Sequence, residues 1–288
     1  MRVLMGLHAA RRAARPAALL CALLALLGLA SPASCASLRG YDAAATPHYQ
    51  YVAFGVYPTQ ADGACAPVLW RVLGPGTPQQ SDVICAGNAP SNKAPKFANG
   101  DDLSGDWADV FCLMTEYVID FVPFSDVRDE PGGPGLDYCD TLACAYLSGE
   151  GLNVMFTPQE QAVLVDMPGR GLLALPTRRG ELFRRDYGFV EEDFTALRTR
   201  RATGTPYAHA KGLKRIDGHA WYFTADWRRY GSRWIVGDDG HISTSGADRK
   251  GGIRPVIYVH ADKLACLGGS GTQADPLVLA ALPEDGWQ

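Results

Sequence analysis

The sequence is poor in the residues that mark the common enzyme chemistries. Beyond His8 its histidines, at 48, 209, 219, 241 and 260, are scattered without metal-ligand spacing. No Gly-x-Ser-x-Gly, His-Glu-x-x-His or phosphate-cradling glycine loop occurs. Hydrolase, metalloprotease and nucleotide-binding classes therefore lack their signatures, and no catalytic residue, metal ligand or cofactor is expected. Cys-x-x-Cys is absent too, which removes the usual redox and zinc patterns. Beyond residue 36 no apolar run is long enough to cross a bilayer, and neither an internal repeat nor a low-complexity linker interrupts the chain.

The first 36 residues read as an export signal. Arg2, Arg11, Arg12 and Arg15 form a positive start, Ala17 to Ala30 is apolar, and Ser34-Cys35-Ala36 offers a small-residue cleavage pattern. A lipoprotein signal ending at Cys35 is the alternative, although Pro32 stands where such signals want Leu. The expected location is periplasmic, extracellular or outer-surface. Without residues 1–36 the chain carries 23 basic against 31 acidic side chains, a formal charge of −8. That balance argues against nucleic acid as a partner. Six cysteines remain, Cys65, Cys85, Cys112, Cys139, Cys144 and Cys266. An even number in an exported chain predicts up to three disulfides, with connectivity open.

Residues 37–48 form a short lead-in and 49–288 a single domain. Tyr49 to Pro58 and Val68 to Leu73 have the aromatic and β-branched content of a strand hairpin, and Val110 to Phe121 reads as a further buried strand. Residues 74–110 and 126–137 are rich in Gly, Pro, Asn and Asp, as loops are. Asp140 to Leu147 suits a short helix stopped by Gly149. Thr157-Pro158-Gln159-Glu160 is a capping box with proline at the first helical position. Leu172 to Pro176 reads as a short strand, Arg179 to Leu197 as one or two helices, and Tyr207 to Gly212 as a last helical turn. Strand chemistry returns from Trp221, turns at Gly237 to Gly240, is clearest over Ile253 to His260, and ends with Asp275 to Ala280. Strands, then helices, then strands predict an α+β fold.

Trp221 to Trp234 interleaves three tryptophans with Arg228, Arg229 and Arg233. Trp227, Arg228, Arg229, Tyr230, Arg233 and Trp234 are the candidate ligand-binding residues, a stacking platform with polar anchors. The competing expectation puts alternate side chains of this stretch in the core. Arg254, before Pro255, is expected to anchor a turn through a buried ion pair. Residues 100–140 are acidic and 178–215 basic. Asp101, Asp102, Asp106 and Asp109 do not follow the EF-hand calcium pattern. They are expected to form a solvated acidic loop, facing the basic segment across the fold.

Phe54-Gly55-Val56-Tyr57-Pro58, Trp70-Arg71-Val72-Leu73, Tyr146-Leu147-Ser148, Phe156-Thr157-Pro158-Gln159-Glu160, Thr205-Pro206-Tyr207-Ala208 and Gly252-Ile253-Arg254-Pro255-Val256 follow one another. In this order they resemble a bacterial family of exported domains without an assigned function. That family looks like a member of the C-type-lectin-like superfamily, which also holds the sulfatase-modifying oxidases. The resemblance implies a C-type-lectin-like fold, an N-terminal hairpin and C-terminal strands flanking a few short helices, with the two ends paired. The family's Trp-Leu-Arg-Ser is Trp221-Tyr222-Phe223-Thr224 here, so its arginine is lost. The Glu-Pro-Asn and Trp-Asn-Asp sequences of calcium-dependent lectins are also absent. The expected function is a non-enzymatic binding or surface-interaction module for a glycan, a peptidoglycan fragment or a surface protein. The alternatives are a cysteine- or metal-dependent oxidase related to the formylglycine-generating enzymes, and a structural cell-envelope domain.

Overall fold

The computed structural model describes residues 33–34, 38–76, 109–125, 138–167, 169–189, 199–228, 232–246 and 248–284. The architecture is α+β: two sheets, with short helices between their strands in the chain. The larger sheet has seven strands among the described residues. They are β1 (Ala33–Ser34), β2 (Gln50–Pro58), β3 (Cys65–Pro75), β4 (Val110–Thr115), β10 (Val256–His260), β11 (Leu264–Gly268) and β12 (Leu277–Ala281), in the order β1-β11-β12-β2-β3-β4-β10. The smaller sheet holds β5 (Asp120–Pro123), β6 (Tyr222–Arg228), β7 (Ser232–Val236), β8 (Ile242–Gly246) and β9 (Lys250–Ile253), in the order β5-β9-β6-β7-β8. The short helices are α1 (Leu142–Tyr146), α2 (Leu152–Met155), α3 (Pro158–Gln161) and α4 (Pro206–Ala210).

The hairpin read from Tyr49 to Leu73 is the antiparallel pair β2–β3. Nearly all of β2 is buried, so both faces of the strand are covered. Gly55 bends it: its φ of +68° lies in the left-handed region, and a Cβ there would sit 2.6 Å from the Phe156 ring. Trp70 fills the centre, its indole N–H donating to Phe54 O at 2.8 Å. The last strand, β12, pairs parallel with β2, so the two ends of the domain close on each other. Ala33–Ser34, inside the expected signal segment, pairs with β11 at the sheet edge.

Two strands read as continuous are each broken between sheets. Val110 to Phe121 divides into β4 and β5, and Ile253 to His260 straddles β9 and β10. Pro255 carries no N–H to continue a ladder, and the chain changes sheet there. Arg254 ties the two crossings together. It is fully buried, donating from Nε to Thr115 O (2.9 Å) and from one terminal nitrogen to Arg200 O (2.9 Å) and the Tyr222 hydroxyl (3.1 Å). Among the described residues its hydrogen bonds go to carbonyls and a phenol rather than to the carboxylate expected.

The capping box at Thr157 is formed in full. Gly149 does not stop the preceding helix. The chain runs through a π-helical turn over Leu147–Gly151 into α2, with Gly151 buried against Tyr146. The predicted helices after Arg179 are single π and 3-10 turns at Arg178–Leu182 and Arg185–Tyr187, and residues 190–198 lie outside the described residues. No helix among the described residues is long and apolar enough to cross a membrane.

Candidate functional site

At the seam between the sheets four segments bring polar side chains to one point. Tyr57 comes from the end of β2, Asp120 opens β5, Tyr146 ends α1, and Lys211 caps α4. Helix α4 is built for this placement. Thr205 accepts from Ala208 N as its N-cap, Pro206 sits in the first turn, and Tyr207 N donates to Thr59 O at 3.0 Å, docking the helix beside β2. Gly212, with φ +107°, ends the turn as the sequence predicts.

Asp120 is fully buried and completely supplied with donors. The Tyr57 and Tyr146 hydroxyls reach Oδ2 at 2.5 and 2.7 Å. Lys211 Nζ lies 2.6 Å from Oδ1, which also accepts from Phe121 N at 2.6 Å. The two phenols also contact each other. Burial first, and then the Asp120 charge, pushes both hydroxyls well above the ordinary phenol range. Both therefore stay protonated as donors. The Tyr207 ring meets Tyr57 edge-on at 6.1 Å between centroids, and Lys211 Nζ lies 5.2 Å from the centre of that ring.

Two cavities open on either side of Tyr57. One, of about 300 Å³, is lined by Val122, Pro123, Leu142 and Val154 together with Tyr146, Tyr207, Lys211 and Glu150. The other, of about 350 Å³, lies over Thr59, Gln60, Leu69, Tyr117 and Thr205. The first joins apolar walls to two partly exposed tyrosines and an ammonium, the composition of a small-ligand site. Among the described residues no cluster of His, Cys, Asp and Glu is arranged to hold a metal ion.

The residues singled out around Trp227 are placed differently. Arg233 is buried, its guanidinium 3.3 Å from the Phe124 ring centre and 4.3 Å from that of Phe223, and it donates to Gly246 O at 3.1 Å. It packs the core of the smaller sheet and presents nothing to solvent. Trp234 is half-buried, with the Arg178 guanidinium stacked 3.9 Å above its ring. Trp227 and Arg228 lie in β6, Trp227 opposite Arg233. Arg229 and Tyr230 lie outside the described residues, as do Asp101, Asp102 and Asp106. Trp221 is half-buried, edge-on to Phe223 at 5.2 Å.

No disulfide joins the described cysteines. Cys65, Cys112 and Cys266 are thiols, so of the up to three disulfides expected none is formed among the described residues. Cys139 is exposed, Cys144 is buried, and Cys85 lies outside the described residues. Cys112 sits on β4 in the interior, where burial raises its thiol far above the ordinary range.

Tyr57, Tyr146, Tyr207, Asp120 and Lys211 were not among the sequence candidates. The signal was nevertheless present. Three of the six motifs supply the three tyrosines, and the Asp120–Lys211 pair joins the acidic segment to the basic one. What the sequence lacked was the π turn and the sheet crossing that put them together. No family model, no curated protein and no solved structure matches this chain.

Proposed function

We propose that the chain is an exported, non-enzymatic binding module of C-type-lectin-like fold, whose ligand site is the cleft walled by Tyr146, Tyr207 and Lys211. One observation carries this reading. Side chains from four separate segments converge on a solvent-open cavity, and a fully buried carboxylate holds two phenols and an ammonium in fixed positions beside it. Such prearrangement lowers the ordering cost of binding. Export is supported by the three-part composition of residues 1–36. The free thiols meet one requirement of the oxidase alternative. The Cys112 and Cys65 thiols, however, are both raised by burial, the opposite of what a reactive cysteine needs.

The test is an array of glycans, peptidoglycan fragments and peptides probed with the mature protein, followed by two variants. Tyr207→Ala should weaken the hits while its thermal melt stays near wild type, and Trp227→Ala should leave them unchanged. Loss of binding in Trp227→Ala with Tyr207→Ala unaffected moves the site to the β6–β7 hairpin. An empty array rejects the binding module.

A further inference from the structure

The protons of the Asp120 cluster can be counted, and the count fixes what the cleft offers a ligand. Tyr57, Tyr146 and Asp120 Oδ2 form a triangle of mutual contacts served by two phenolic protons. Both hydroxyls can donate to the carboxylate, or one can donate to the other and that one to Asp120. In either arrangement both protons stay inside the triangle. Tyr146, a partly buried residue lining the cavity, then has a lone pair on its hydroxyl oxygen and no proton left to give. Lys211 is the opposite. Its ammonium carries three protons and no lone pair; Asp120 Oδ1 takes one and the Tyr207 hydroxyl accepts another, which leaves one for a ligand. One carboxylate thus holds an acceptor and a donor side by side at the mouth of an apolar cavity. The Lys211 charge is neutralised by Asp120, and Glu150 at the rim is acidic, so the site has no net attraction for an anion.

A ligand that satisfies this pair must present a donor next to an acceptor, with an apolar group beside them. In an extended peptide the N–H and C=O of one residue point to the same side, as they do in a hydrogen-bonded strand pair. We infer, resting on the cleft being the binding site, that its ligand is an extended peptide segment. One residue donates its N–H to the Tyr146 hydroxyl oxygen and accepts at its C=O from Lys211 Nζ. An apolar side chain of the segment enters the wall formed by Val122, Leu142 and Val154. Val122, Leu142 and Val154 give this side of the cleft an aliphatic surface that suits an apolar side chain, and the sugar arm of the experiment tests the Tyr146 and Tyr207 rings that also line it.

The experiment titrates the full mature protein with N-acetyl-Ala-Leu-Ala-amide and with analogues N-methylated at each residue in turn. Methyl glucoside is the sugar arm. On the wild type, one N-methyl analogue should bind about tenfold weaker, the effect of one lost hydrogen bond. Tyr146→Phe should bind the parent peptide about tenfold weaker as well, and the same N-methyl analogue should then cost nothing further. This non-additivity distinguishes a direct contact from a general loosening of the cleft, which a melt of Tyr146→Phe monitors separately. Equal N-methyl penalties on both proteins overturn the assignment. So does saturation by methyl glucoside with no binding of the peptide. Those results leave the cleft standing as a site, whereas array hits insensitive to Tyr207→Ala remove the reading beneath it.

Discussion

Two carboxylates in this molecule are held by nearly the same kinds of partner, and they differ in what lies around them. Glu181 accepts from Arg170 at both oxygens (2.8 and 3.2 Å), from the Thr177 backbone and hydroxyl (2.6 and 2.9 Å) and from the Tyr258 hydroxyl (3.1 Å). The Arg170 and Glu181 side chains are both 0% exposed. Asp120 likewise has a cation, two hydroxyls and a backbone N–H, but its cation is 36% exposed and stands on a cavity wall. In the sealed cluster every donor to Glu181 is buried, only Arg170 Nε among their side-chain polar atoms lacks a partner, and the unit is architecture. The open cluster keeps unused valence at its surface, and that is what a ligand can meet.

The strongest way to break this contrast is to unpair the sealed site. Glu181→Leu removes the carboxylate hydrogen-bonded to the buried Arg170 guanidinium and should cost about 3–5 kcal/mol in urea unfolding. The double variant Arg170→Met/Glu181→Leu should recover most of that loss. A single-variant cost below about 1 kcal/mol would mean that water reaches the pair.

A third carboxylate sharpens the comparison. Asp226 is buried on β6 and accepts from Arg178 N at 2.6 Å, and its pKa is raised to about 6, chiefly by burial. Its folded pKa lies above the unfolded value, so its contribution is complete below about pH 4 and disappears as pH rises through about 6. Asp226→Asn should therefore be more stable than wild type at pH 7, by on the order of 2 kcal/mol, and no more stable at pH 3.5. Parallel pH profiles of the two proteins would refute this.

The open pair should be cheaper to break. Lys211→Met should cost about 1–2 kcal/mol, between a sealed pair and a surface one, while abolishing array binding. A cost matching Glu181→Leu would place Lys211 with the architecture. The smallest effect is expected at Leu142, an exposed apolar residue on the cavity wall. Leu142→Ser should change stability by no more than about 0.5 kcal/mol and still weaken the peptide titration.

Local rules made much of the fold legible. The β2–β3 hairpin, the Thr157 capping box, the Gly212 stop and the final strand each depend on a few adjacent residues, and each is where the sequence places it. The two sheet crossings were not legible. Apolar residues stand on both sides of each crossing, Met114 and Val118-Ile119 at one, Ile253 and Val256-Ile257 at the other. Pro255 marks a break at the second, but the assignment of the flanking strands to different sheets comes from tertiary pairing. The site was hidden for the same reason, because Asp120 acquires its partners at a crossing. The aromatic stretch at 221–234 misled in the other direction. Arginine beside aromatic residues has the composition of a recognition surface, yet Arg233 stacks inward on Phe124 and Phe223.

The parallel pairing of β12 with β2 also bears on when this chain can fold. β12 lies between β11 and β2, so the larger sheet stays split until Leu277–Ala281 has been synthesised. The β2–β3 pair can add β4 early, but it gains its neighbour on the other side only once residues 277–281 are made. Closure of that long loop is entropically late as well. Until then the edge of β2 away from β3 is a template that only β12, the strand of the sheet farthest from it in chain order, completes.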